Sequence, residues 1–432
     1  MDILQIKEKI LSTVCEGEAW IKNISKELHK TAELGFCEEK SSAIVRKAFD
    51  ELQIEYEFPL AITGVKATLK GKNSKFNVCI IGELDAIVSK EHPDAGENGA
   101  VHACGHSAQI SAMLGVAYTL KKSGVMNYLD GDITFMAVPA EEFNELEYRA
   151  TLKKQGKIKY FSGKQQLVYE GAFDNVDMAI MLHAMGDEPD GKLYVRGNNL
   201  GFISKKLIFK GKSAHATQPD QAVNALNAAA LTILGIHSNR DTFREDERIR
   251  IHPIITKGGD VVNSVPDRVE MEMQVRAATP EAISKANEIV NRVANGACQM
   301  ISAEFETEDL VGYLPLKEDE QITSVMEKIA KDLIGKDNII SNYTLVGSTD
   351  MGDISNILPA VQPSIGGFMG GLHSKDFKIV NEDAAIMLPA KLMALTAARL
   401  LADGAKCAKL VKENFKPHIT KEEYLKYLEG EL

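Results

Sequence analysis

Apolar residues recur at helical spacing over residues 3–30 and 38–53, after which short apolar runs take over. GVKATLKG and FNVCIIGELDAI read as strands, a helix follows from about Ser107 to Lys122, and DITFMAV and VDMAIMLHA read as further strands. This alternation predicts an α/β fold with a mixed sheet flanked by helices. LEYRATLKKQGKIKYFSGKQQLVYEG, at about 145–170, is polar and basic between two of those strands. It is expected to be a helical insertion near the surface or a loop facing substrate.

The pattern changes near Asn199. FISKKLIFKG, a helix at about 221–238, RIRIHPIITKGG, RVEMEMQVRA, a helix at about 280–300 and ISAEFET follow one another. Strand-helix-strand-strand-helix-strand is the split βαβ order of a ferredoxin-like α+β sandwich. Beyond about residue 310 come the helix DEQITSVMEKIAKDLIG, the Gly-rich run VQPSIGGFMGGLHS and one long final helix. The expected organisation is therefore a catalytic domain in two parts, 1–198 and 310–432, with an inserted domain at 199–309.

Composition narrows the function. The net charge of -11 opposes non-specific binding to nucleic acid or acidic membranes. No apolar run of about 18 residues is read in the sequence, so no transmembrane helix is expected. Six cysteines, at 15, 37, 79, 104, 298 and 407, are too scattered for a disulfide framework. A reduced, cytoplasmic protein is expected.

Three buried-looking strands end in chemistry. NVCIIGELDAI ends in Asp85, ITFMAVPAEEF carries Glu141 and Glu142 past a proline, and VDMAIMLHA delivers His183. A fourth apolar stretch, PSIGGFMGGLHS, brings His373. Open α/β sheets gather ligands at the carboxyl ends of their strands. Charged groups placed there are costly unless solvated, paired or coordinated. In AVHACGHSAQ, Cys104 and His106 share one side if the stretch is extended. Thiolate, imidazole and carboxylate together suit zinc, and manganese, cobalt or nickel as alternatives. The paired glutamates divide the work: Glu142 as ligand, Glu141 as general base and acid.

LHKTAELGFCEEKSS, ITGVKATLKG, GELDAI, VHACGH, PAEE, LHA, KGKSAHATQP, GGDVVNSVPD, GSTDMGD and GGLHS occur in this order. Together they resemble the dinuclear metallo-amidohydrolases, a family that includes aminoacylases, hippurate hydrolases, auxin-conjugate hydrolases and zinc carboxypeptidases. GSTDMGDIS and PAEEF resemble the aminobenzoyl-glutamate hydrolase branch. The resemblance implies two divalent metal ions held by Cys104, His106, Glu142, His183 and His373, with Glu141 as base. It makes Asp85 a group that orients a ligand and His215 the residue that polarises the substrate carbonyl, often in the partner subunit's site. Asn263 and Arg276 would hold the substrate carboxylate or the tetrahedral intermediate. Ser107 replaces an acidic or amide residue of the pattern, and AIV follows Asp85 in place of ALP. His92 is expected at the surface, His29 in a structural role and His102 behind the ligands or in packing.

The implied reaction is hydrolysis of the amide of an N-acyl or aminobenzoyl amino acid by a metal-activated water. A dipeptidase or carboxypeptidase on the same scaffold is the alternative within the enzyme class. A non-catalytic carboxylate receptor would need no base at Glu141. A thiol redox enzyme would need a second cysteine near Cys104. The resemblance further implies a small-molecule substrate and a homodimer formed through the inserted domain.

Overall fold

The computed structural model describes residues 1–343 and 347–431. The chain forms two compact units, one built on Met1–Gly197 and most of the chain from Lys317 onward, the other on Asn198–Leu316.

The first unit opens with helices α1 (Ile3–Glu16), α2 (Glu18–His29) and α3 (Glu39–Leu52). The single helical stretch expected over 3–30 is thus two helices divided at Gly17. Asp2 begins α1 with a capping box closed by Gln5, which satisfies two backbone N–H groups of the first turn. Strands β1 (Tyr56–Leu60), β2 (Gly64–Leu69), β3 (Asn77–Glu83), β4 (Asp132–Val138) and β5 (Met178–Ile180) join Ala360–Val361 in one sheet. Their order is β1-β2-β4-β3-β5-(Ala360–Val361). The β1–β2 and β2–β4 pairings are antiparallel and the remainder parallel, so the sheet is mixed. Because β3, β4 and β5 run the same way, their carboxyl ends meet on one edge.

Helix α4 (His106–Ser123) is buried on nearly every side; its apolar residues pack in the core, and its buried Ser111 and Thr119 donate to main-chain oxygens. The polar segment after β4 is helical and, as expected, largely exposed over residues 146–157, but residues 160–168 are buried. It forms α5 (Leu146–Lys154) and α6 (Gly163–Tyr169), and Arg149 and Lys164 are fully buried within them.

The second unit contains β6 (Gly201–Lys210), α7 (Ala225–Ser238), β7 (Arg250–Lys257), β8 (Arg268–Ala277), α8 (Pro280–Ile301) and β9 (Glu304–Val311). All pairings are antiparallel, in the order β7-β8-β6-β9. Strand β8 alternates strictly: Val269, Met271, Met273 and Val275 enter the core shared with α7 and α8. This is the two-layer sandwich read from the strand and helix order.

Two expectations need correction at the carboxyl end. The final helix is three: α-helix Leu388–Leu401 after a π-turn at Asp383–Met387, then Lys406–Asn414 and Lys421–Leu428. The stretch Asp383–Leu401 is also long and apolar enough to cross a membrane, contrary to the reading of the sequence. Most of it is buried in the first unit's core, where an apolar helix is equally at home.

Candidate metal centre

The edge where β3, β4 and β5 end carries a cluster of donors, buried except for half-buried His183 and exposed His373. One atom each of Cys104, His106 and His183 lie within 4.8 Å of one another, and so do those of Cys104, Glu142 and His373. The two triples share the Cys104 sulfur, so the fold brings all five expected ligands together. A third triple, Glu83, His106 and Glu141, meets the same distance.

Backbone geometry explains the convergence. Cys104 lies in a turn and His106 begins α4, so the extended stretch imagined for HACGH is absent. Gly105 between them has φ +84°, and a Cβ there would stand 2.6 Å from the Ala184 side chain. Only glycine permits this approach. Cys104 Sγ sits 3.4 Å from His183 Nε2, while His183 Nδ1 is 2.9 Å from the Ala184 oxygen. The second contact orients the imidazole as metal-binding histidines require. The His373 backbone donates to Ala103 O at 2.8 Å, which ties its loop to the HACGH turn. His373 Nε2 then stands 2.9 Å from Glu142 Oε1.

Asp85 links two ligands. Its carboxylate accepts the Glu142 N–H at 2.9 Å, and its Oδ1 lies 3.2 Å from His106 Nδ1. The turn carrying Glu141 and Glu142 is anchored independently. Ala140, at φ +51°, donates to Glu38 Oε1 at 2.8 Å, and Thr63 donates to Glu38 Oε2 at 2.6 Å. Arg149 donates to the main-chain oxygens of Glu142 and Phe161. Burial, with the nearby Asp85 charge, pushes the Glu38 carboxyl up to about 8.

The electrostatics suit a cation. Burial raises the Glu142 carboxyl to about 7, and the Cys104 charge adds to the effect. The Cys104 thiol falls well below its ordinary range: burial opposes ionisation, but His183 and His106 outweigh it. Glu83 Oε2, Asp85 Oδ1, His106 Nε2 and Glu142 Oε1 are buried without an aligned hydrogen bond. Such a concentration of unsatisfied donor atoms is expensive in a native interior unless something binds there. The mixed S, N and O set fits a zinc-like or manganese-like dication.

Residues 79–399 match peptidase family M20/M25/M40. The chain belongs to this family. As an M20-family member it is a hydrolase of amide or peptide bonds. It is 25% identical to an IAA-amino acid hydrolase of Arabidopsis thaliana, covering 96% of this chain and 93% of the relative. A thermostable carboxypeptidase of Saccharolobus solfataricus is 24% identical, covering 80% and 86%. Among solved structures, a dinuclear metal-binding M20-family peptidase from Bacillus subtilis superimposes with a TM-score of 0.69 at 23% identity, covering 89% and 98%. An aminobenzoyl-glutamate utilization protein from Klebsiella pneumoniae gives 0.66 at 17% identity, covering 91% and 99%.

Other residues singled out from the M20-family sequence fall as follows. In the second unit, His215 pairs with Ser264 across an isolated bridge, and Ala216 donates to Asn263 O at 2.9 Å, so His215 and Asn263 are neighbours. Both are exposed. Arg276 lies toward the opposite end of that sheet, with its guanidinium over the Phe202 ring and donating to Ser348 Oγ at 2.7 Å. His92 is buried, not exposed: its Nε2 is 2.8 Å from Phe377 O. His29 stands 3.2 Å from Asp94 at the end of α2. His102 is buried, with its imidazole pushed down to about 3 by burial and the neighbouring His106.

Sequence reasoning missed Glu83, Lys164, Arg149 and Glu38. The first had a visible signal, because a carboxylate at the end of a buried strand demands a partner.

Proposed function

We propose that this chain is a metal-dependent amidohydrolase cleaving the amide bond between an acyl group and an amino acid. The supporting observation is the pair of donor triples joined at the Cys104 sulfur, with Glu141 beside them. Cys104, His106, Glu142, His183 and His373 would hold two divalent ions, zinc or manganese, with cobalt or nickel as alternatives. Ions in that position lower the pKa of water and polarise a carbonyl oxygen.

The chain's own residues supply the remaining functions. Glu141, 5% exposed, takes the proton of the attacking water and returns it to the leaving nitrogen. Asp85 holds His106 and Glu142 in register. His215, contributed by a second copy, stabilises charge developing on the carbonyl oxygen, and Asn263 and Arg276 hold the substrate carboxylate or the tetrahedral intermediate. Dimerisation through the second unit would place His215 in that role. Six free cysteines among the described residues favour a reducing compartment such as the cytoplasm.

The test is a panel of N-acyl amino acids, aminobenzoyl-glutamate and dipeptides on protein of measured metal content. Turnover of N-acyl amino acids supports the reading; turnover confined to dipeptides favours the dipeptidase alternative. Mixing inactive His215→Ala and Glu141→Gln proteins should restore activity in heterodimers. No recovery after verified subunit exchange rejects the shared site.

A further inference from the structure

Glu83 and Lys164 are fully buried charged side chains with no part in the five-ligand reading, both 0% exposed. Glu83 ends β3 and has the position of a ligand, since one atom each of Glu83, His106 and Glu141 also lie within 4.8 Å of one another. The triples compete, because His106 belongs to two of them. Glu83 Oε2 is 3.2 Å from His106 Nε2, and neither atom has an aligned hydrogen bond.

The other Glu83 oxygen is taken. Lys164 Nζ donates to Oε1 at 2.6 Å. The ammonium is held there by the backbone beneath it. Gly163 donates to Ala140 O at 3.1 Å, and a Cβ on Gly163 would lie 1.7 Å from Pro139 O. Helix α6 is thus pressed onto the same turn that carries Glu141, and Lys164 has no route to solvent. A divalent ion taking Glu83 as ligand would face this ammonium across one carboxylate, where low dielectric makes repulsion strong.

We propose that Lys164 is a positioning residue that keeps Glu83 out of metal coordination. His106 then joins the Cys104-based ligands and Glu141 stays available as base. This inference rests on the five-ligand reading. It carries an unusual consequence. Without Lys164, Glu83 is a buried anion lacking its counter-charge, and an ion beside His106 is the nearest replacement. Loss of Lys164 should therefore tighten metal binding while impairing turnover, the reverse of what a merely loosened site would do.

The experiment compares wild type, Lys164→Met, Glu83→Gln and the double variant. Metal affinity is read by chelator competition with Mn2+, coordination by the visible absorption of bound Co2+, and turnover by kcat and KM on an N-acyl amino acid. Lys164→Met should bind Mn2+ about 10-fold more tightly and lose about 100-fold in kcat at unchanged KM, the scale on which groups behind metal ligands act. Its Co2+ spectrum should weaken as coordination number rises. Glu83→Gln should keep the wild-type stoichiometry, and the double variant should return the affinity and spectrum to wild-type values. Loss of an ion in Glu83→Gln would make Glu83 a ligand and overturn the proposal. Weaker or unchanged metal binding in Lys164→Met would also overturn it. Should Lys164→Met fail to fold, Glu83→Gln and the double variant decide by the same criteria. A wild type that binds no ion removes the five-ligand reading together with this one, whereas failure confined to the variants removes this one alone.

Discussion

The Asp85 carboxylate accepts the backbone N–H of Glu142 at 2.9 Å, joining the end of β3 to the turn after β4. The same carboxylate faces His106 Nδ1 at 3.2 Å. One residue therefore sets the aim of two expected ligands, Glu142 through its carboxylate and His106 through its main-chain oxygen, 2.8 Å from Nδ1. Asp85→Asn preserves the shape and the main-chain contact but weakens the hold on Glu142, and metal affinity should fall about 10- to 100-fold. Chelator competition on the purified variant checks this; wild-type affinity would show that Glu142 does not need the Asp85 carboxylate.

Glu141→Gln removes a proton acceptor while keeping size and burial. Metal content should stay at the wild-type level, and kcat should drop about 100- to 10,000-fold, the range of general acid–base catalysis. A variant retaining full amidase activity would eliminate Glu141 as the base.

Arg149 is fully buried and donates to two main-chain oxygens, those of Glu142 and Phe161. Arg149→Met strips both bonds; the Glu142 oxygen keeps the Asn144 N–H at 2.9 Å, while the Phe161 oxygen loses its arginine partner at a cost of roughly 1–3 kcal/mol. Imperfect filling of the space adds to this, for a total of about 2–5 kcal/mol. Urea denaturation measures the loss. Because one of those oxygens belongs to a ligand residue, kcat should fall with stability.

Stability should also depend on pH through Glu318, which is not among the expected ligands. Its carboxylate accepts the N–H groups of Arg196 and Gln362 at 2.8 and 3.0 Å, yet burial pushes it up to about 7 from an ordinary 4.5. Between those values the folded chain keeps a proton that the unfolded chain releases. The contribution is complete below about 4.5 and is lost as pH rises through about 7. Glu318→Gln should flatten that decline. Urea midpoints at pH 5 and 7.5 decide; equal declines in the two proteins would rule Glu318 out as its source.

Much of this molecule was legible because apolar strands that stop at a charged residue announce a sheet edge. Asp85, Glu141, Glu142 and His183 were found in that way, and the second unit through the strict alternation of β8. The misreadings share a different cause. Lys164 and Arg149 lie in a segment whose composition suits a surface, and only their partners on β3 and beyond β4 explain their burial. His92 sits in an acidic loop that looks solvated, but it is held by a carbonyl 285 positions downstream. HACGH suggested an extended strand because spacing alone cannot register a left-handed glycine. Long-range partners and backbone hand, more than residue type, were what the linear pattern concealed.

The distribution of the five expected ligands along the chain has a bearing on how the protein is made. Cys104, His106, Glu142 and His183 all belong to the first part of the chain, whereas His373 follows roughly 190 residues later. At typical elongation speeds a ribosome needs roughly 10–40 s to cover that interval. The His183 backbone, however, donates to Pro363 O at 2.9 Å and its strand pairs with Ser364–Ile365, so the Cys104–His106–His183 triple also waits for the last part of the chain. Both triples would be completed together, once synthesis is nearly finished.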